Sequence, residues 1–112
     1  MRADNVPEHI TYHVNLFGPF EVTTSEGDVL HLPSKRGRAL IAALATGRKR
    51  QRTRDWLQDL LWQGRGKVQA SASLRQELRL LRKAFAQADV ILSEHGTLTL
   101  NPDLVTTNAA EP

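Results

Sequence analysis

The chain has 112 residues, 40% of them hydrophobic, with a net charge of +3 and a pI near 9.8. That length suits one domain with a modest core, filled by Leu, Val, Ile and Ala because aromatics are few. The lack of cysteine excludes a disulfide scaffold and a thiolate zinc site. No apolar run is long enough to span a membrane and MRADNVPEHI lacks the apolar centre of a signal peptide, so a cytoplasmic location is expected.

In chain order, residues 1–10 read as a polar tail. TYHVNLF (11–17) alternates, with Tyr12, Val14 and Leu16 on one face, and predicts a strand. Gly18-Pro19 marks a turn, FEVTT (20–24) a second strand, SEGD (25–28) a turn and VLHL (29–32) a third strand. Together they predict an antiparallel meander. Ser34 is the expected N-cap of a first helix over 35–46, with Leu40, Ile41 and Leu44 as its apolar stripe and Gly47 as its stop. RKRQRTR (48–54) reads as a basic connector. Thr53 is the expected cap of a short second helix ending near Trp62, with Asp55 well placed in its first turn. QGRGK (63–67) is a loop. A third helix is expected from near Val68 to about Gln87, and VILSEHGTLTLN (90–101) predicts a hairpin turning at His95-Gly96. Turn residues and a polar tail, 107–112, close the chain. The expected class is therefore α+β: a winged helix-turn-helix over 11–106, with an N-terminal three-stranded antiparallel sheet, three helices and a C-terminal hairpin wing.

The third helix divides its residues sharply. With Leu74 at zero on a wheel of about 100° per residue, Leu78, Leu81 and Phe85 fall within roughly 40° of it, and Ala70 lies on that side. Arg75, Gln76, Arg79 and Lys83 occupy the flank between about 100° and 200°, with Gln69 and Ala72 close by. The acid Glu77 lies to the other side. Arginine can bond guanine, and glutamine adenine, through paired contacts in a major groove. Gln69, Ser73, Arg75, Gln76 and Arg79 are thus the candidate base-reading residues, with Ala72 and Ser73 small enough to permit close approach. Crowded cations repel one another unless a polyanion is near. Arg48, Arg50, Arg52, Thr53 and Arg54 stand just before the second helix, whose unpaired N–H groups suit phosphate. With Lys35 and Arg36 at the first helix and Lys83 further along the third, they are the candidate phosphate contacts.

Other chemistries find little support. His9, His13, His31 and His95 are scattered without metal-ligand spacing, so no metal or other cofactor is expected. Asp55 and Asp59 suit cap and surface roles, Ser71 and Ser73 lack a neighbouring histidine, and GRGK (64–67) is too short for a phosphate-binding loop. An enzyme is not expected. Single-stranded nucleic acid calls for exposed stacking aromatics, whereas Trp56 and Trp62 are expected in the core, Trp62 anchoring the loop after the second helix. Leu80, near 240° on the wheel, and the acidic wing favour one alternative: a winged helix repurposed for protein–protein contact without specific DNA binding.

LFGPFEV, LPSKRGRALIAALA, TRDWLQDLLW and ASLRQELRLLRKAF occur in an order that resembles the winged-helix domain of the Streptomyces antibiotic regulatory protein family, a relative of the OmpR/PhoB-type winged helix. The resemblance covers roughly 12–106. It implies a bacterial transcription regulator, usually an activator, binding double-stranded DNA and often dimeric on direct repeats. It implies that the third helix reads the major groove, with Arg75, Gln76 and Arg79 facing bases and Arg54 and Lys83 facing phosphate. It further implies that the loop carrying Gln63, Arg65 and Lys67 contacts RNA polymerase. OmpR-type wings often present an arginine, but here the tip is SEHGT, leaving wing contacts to His95 and Thr97 beside Glu94. Family members continue into an effector module, so 107–112 is read as the start of a linker.

Overall fold

A computed structural model of the protein describes residues 10–108. The N-terminal tail therefore falls, apart from Ile10, outside the described residues, as do residues 109–112.

Alternation sets the first layer. Tyr12 and Val14 of β1 (Tyr12–Asn15) and Val22 of β2 (Glu21–Thr24) are buried on one face. β1 and β2 pair antiparallel with Val14 opposite Val22, and β3 (Val29–Leu30) pairs antiparallel with β2. The third strand is shorter than VLHL suggests. The ladder ends at Leu30, ahead of Pro33, which has no N–H to contribute, although Leu32 is still buried.

Ser34 caps α1 (Lys35–Thr46), its Oγ accepting from the Gly37 N–H at 2.9 Å. Leu40, Ile41 and Leu44 turn inward as their spacing predicts. Thr53 likewise caps α2 (Arg54–Leu61), and α3 (Lys67–Phe85) follows after a loop. α3 stops two residues short of Gln87. Ala86 adopts the left-handed conformation (φ 58°, ψ 21°) and its N–H bonds Lys83 C=O. Arg82 holds the exit, donating to the carbonyls of Ala88 (3.1 Å) and Ile91 (2.7 Å).

Two strands lie where the sequence suggested loop or tail. The end of the basic connector forms β4 (Gln51–Thr53), which pairs with β6 (Thr97–Leu100); β6 pairs in turn with β5 (Ile91–Glu94). The wing is therefore a three-stranded sheet, β4-β6-β5. Its tip is a two-residue turn in which His95 (φ 51°) and Gly96 (φ 78°) are both left-handed, as a type I′ hairpin requires. The segment read as turn residues and tail contains β7 (Val105–Thr107), which pairs parallel with β1 and makes the meander four-stranded, in the order β3-β2-β1-β7. Asn108 extends this closure by donating to Asn15 Oδ1 and accepting from the Leu16 N–H. Strand pairing thus reaches Thr107. Such pairing joins residues more than ninety apart, beyond the reach of any local pattern.

One apolar cluster joins both sheets and all three helices. Leu74, Leu78, Leu81 and Phe85 of α3 are at most 2% exposed. Phe85 meets Tyr12 edge to face, ring centroids 4.8 Å apart, and the Tyr12 hydroxyl donates to the Phe85 carbonyl. On the far edge of α3, Glu77 accepts from Ser34 Oγ at 2.8 Å, tying the cap of α1 to α3. Each fully buried leucine of this kind contributes about 1.5–3 kcal/mol.

Two substitutions report on this packing. Gly47 lies where a Cβ would stand 2.4 Å from the Gln51 carbonyl oxygen and 2.8 Å from Arg52 Nε. Gly47→Ala should lower the unfolding free energy by about 1–3 kcal/mol. Leu74→Ala should lower it by about 2–5 kcal/mol. Urea denaturation followed by circular dichroism measures both.

Candidate nucleic-acid interface

The backbone of α2 begins against the wing. The Arg54 N–H donates to Gly96 C=O at 2.9 Å, and its guanidinium donates to Ser93 Oγ on β5 at 2.9 Å. Arg54 is thereby held between helix and wing, with Thr53 Oγ1 accepting from the Trp56 N–H beside it (3.1 Å). Facing it is the polar flank of α3. Arg54, Arg75, Gln76 and Arg79 line one open groove of about 480 Å³, together with Ala72, Leu78 and Arg82. Arg75 also bonds Ser71 Oγ one turn earlier (3.1 Å). Gln76, Arg79 and Lys83 are exposed and make no side-chain hydrogen bond or ion pair among the described residues. Among the described residues, no acid lines this groove.

The expected site residues do not all converge here. Gln69 is exposed and Ser73 half-buried on α3, but neither lines the groove, because each lies further around the helix than Arg75 and Arg79. Lys83 is likewise outside it. Lys35 is exposed on the first turn of α1. Arg36 bonds the Leu61 carbonyl at the end of α2 (3.0 Å) and lies over the Trp62 ring at 5.6 Å. It therefore completes a helix C-terminus, where a cation is favourable.

The basic run divides in the same way. Arg48 and Lys49 are exposed. Arg50 and Arg52 are half-buried and turned inward: Arg50 donates to Val105 C=O (3.1 Å), and Arg52 donates to Ala43 C=O (2.9 Å) while its guanidinium stacks 4.0 Å from the centre of the Trp56 ring. Trp62 is buried at 4% exposure, as expected, but Trp56 is not a core residue: it is 41% exposed. Leu57 takes the buried face of α2, so the adjacent Trp56 lies outside and finds its cover in Arg52. Leu80 is half-buried rather than a prominent surface leucine.

Between the run and the wing is a second cleft, of about 580 Å³, bordered by Arg48, Lys49, Thr53, Trp56 and Thr97. The turn above it is unusual. Lys49 (φ 53°) and Arg50 (φ 59°) are both left-handed, and the Gln51 N–H closes on Arg48 C=O. That is the geometry of a type I′ turn, which favours Asn and Gly. Side chains in this region cost about 1–2 kcal/mol per residue. At the wing tip Glu94 and His95 are exposed and Thr97 is half-buried. Gln63, Arg65 and Lys67 are exposed in and after the loop joining α2 to α3, where Gly64 is left-handed (φ 83°). Lys67 and the 84%-exposed Val68 border a further concavity with Asp55 and Arg75.

Sequence reasoning missed Lys49, Trp56 and Arg82 as members of this surface. Lys49 had a signal in the charge run. Arg82 had one on the wheel, where it falls at about 80°, beside Arg75; Trp56 had none, since a wheel does not report what covers a neighbour. Among the described residues, no group of three or more His, Asp or Glu side chains could hold a metal ion, and no helix is long and apolar enough to cross a membrane.

Three helices, the last presenting a cationic flank beside a hairpin, with a leading antiparallel meander, define a winged helix-turn-helix domain. No family model and no curated protein matches the chain. Among solved structures, the fold is similar to that of EmbR from Mycobacterium tuberculosis, in a complex of EmbR with a low affinity phosphopeptide. The match has a TM-score of 0.66 and 22% identity and covers 87% of this chain. This chain spans 27% of the length of that one.

The division of the arginines has a measurable consequence. Arg52→Ala removes a hydrogen bond and a stacked cation, and should lower the unfolding free energy by about 1–2 kcal/mol. Arg79→Ala, on the open groove, should stay within about 0.5 kcal/mol of the wild type. Parallel urea titrations distinguish the two.

Proposed function

We propose that this domain binds double-stranded DNA sequence-specifically and regulates transcription. The observation that carries the reading is the groove in which Arg54, Arg75, Gln76 and Arg79 converge beside the wing, open to solvent and, among the described residues, lined by no acid. α3 enters the major groove with Arg75, Gln76 and Arg79 at base edges, where arginine and glutamine form paired hydrogen bonds. Gln69 and Ser73, further around α3, read bases only where the helix lies deep enough to bring that edge to the groove wall. Arg54, fixed between α2 and wing, meets phosphate, as do Thr53 at the α2 N-terminus, Arg48, Lys83 and, more peripherally, Lys35. Arg36, Arg50 and Arg52 act mainly by shaping the scaffold, since their guanidinium groups already bond backbone carbonyls. His95 and Thr97 are the wing's candidates for contact.

The resemblance to antibiotic regulatory proteins supports the finer reading: a bacterial, cytoplasmic activator, dimeric on direct repeats, with Gln63, Arg65 and Lys67 offered to RNA polymerase. The exposure of that loop agrees with such a role. The domain supplies no catalytic step and no cofactor in this reading. The alternative, a protein-contact module, loses one of its motives with Leu80 half-buried.

With roughly six phosphates met, affinity should fall with salt at a log–log slope of about −5. A preferred site selected from a random duplex pool is the substrate for the test. Arg75→Ala or Arg79→Ala should weaken that site by about 1–3 kcal/mol and relax preference at one base pair, whereas Arg54→Ala should weaken specific and random duplexes alike. Fluorescence anisotropy across a salt series measures all three. Equal losses on both duplexes for every variant would remove the base-reading role.

A further inference from the structure

The cleft beside the wing, under the strained turn, shares no lining residue with the α3 groove. Arg48, Lys49, Thr53, Trp56 and Thr97 line the cleft, together with Gln51 and Arg52 of β4. Arg48 and Lys49 are exposed and make no side-chain hydrogen bond or ion pair among the described residues. Trp56 is 41% exposed, and its indole N–H, a donor with no acceptor role, likewise has no partner among them. The cleft therefore offers unpaired donors and cations, with an apolar ring as its wall. Arg52, bonded to Ala43 C=O and stacked on that ring, holds the indole in place.

The turn adds a separate observation. Lys49 occupies a left-handed position where asparagine or glycine would be less strained. Nothing in the packing of the described residues calls for lysine there, since its side chain is exposed and makes no bond among them. Unfavourable backbone geometry tends to persist where it serves a function. Thr53 borders the cleft and Arg54 the α3 groove, so the two concavities meet between adjacent residues.

We infer that this cleft is a second anchoring point for a phosphodiester of the duplex backbone, separate from the α3 groove, with Lys49, Arg48 and the Trp56 indole N–H as its donors and Arg52 as the positioning residue. Lys49 brings a charge to the cleft at the expense of turn stability. The inference rests on duplex binding by this domain. Phosphodiester chemistry could equally be met by free phosphate. A single pair of cations on an open surface, however, suits an anion delivered by a polymer already held at the neighbouring groove.

Lys49→Asn is the decisive variant because it suits the turn and removes only the charge. Its thermal midpoint should equal or exceed that of the wild type. Its affinity for a random-sequence duplex should fall by roughly three- to tenfold, and its log–log salt slope should become shallower by about 0.9, the signature of one lost phosphate contact. Lys49→Arg should keep the wild-type slope. In 15N-labelled protein, the Trp56 indole N–H resonance, assigned with Trp56→Phe, should shift on adding duplex. It should shift far less with inorganic phosphate at equal ionic strength, and its response to duplex should shrink in Lys49→Asn. If the wild type binds duplex but Lys49→Asn keeps its affinity and slope, the cleft assignment fails while the groove assignment stands. An equal shift with inorganic phosphate would make the cleft a free-anion site and overturn the anchoring role. A wild type with no duplex affinity overturns both.

Discussion

Phe85 sits where the last turn of α3 meets the N-terminal sheet. Its ring is edge-on to Tyr12, and its carbonyl accepts the Tyr12 hydroxyl. From there the apolar edge runs back through Leu81, Leu78 and Leu74, all essentially out of water. This seam fixes the roll of α3 about its axis. A helix with one edge buried has no choice about which residues face outward, so Arg75, Gln76 and Arg79 are presented together. The link from Glu77 to the Ser34 cap pins the same roll from the other side.

The wing is the second constraint, and it comes from chain closure. β4 follows the basic turn directly and pairs with β6, so the connector from α1 becomes part of the wing sheet. That pairing brings Thr53 opposite Thr97 and puts the Arg54 N–H on Gly96 C=O. One short strand thus sets where α2 begins, where the wing tip stands and where Arg54 points. The four-stranded sheet acts similarly at the other end. There the parallel β1–β7 pair returns the chain beside its own beginning and gives Arg50 a backbone carbonyl to bind.

The cations show how charge count misleads when read without tertiary contacts. Arg36, Arg50, Arg52 and Arg82 each donate to backbone carbonyls, and Arg36 and Arg52 also stack on tryptophan. A buried carbonyl left without a donor is costly, and arginine's planar fork satisfies it while stacking on an aromatic face. These four of the 15 lysines and arginines therefore serve the scaffold. What remains exposed, notably Arg48, Lys49, Arg75, Arg79 and Lys83, is the smaller set offered to a polyanion in the proposed function.

By itself the sequence determined the helix faces, the caps at Ser34 and Thr53, the hairpin at His95-Gly96 and the early meander. All are local, set by periods of 3.6 or 2 and by residues that cap or turn within a few positions. The arginine flank of α3 was legible for the same reason. Only the tertiary structure decided that β4 and β7 exist, that Trp56 lies outside under Arg52, and which arginines face inward. The two strands depend on partners distant in the chain, such as Val105 for Tyr12 or Thr99 for Gln51, and Arg52 and Trp56, though near in sequence, meet only because β4 turns into α2 between them. No local pattern carries that information, because a backbone hydrogen bond or a stacked ring is specified by what folding brings alongside it.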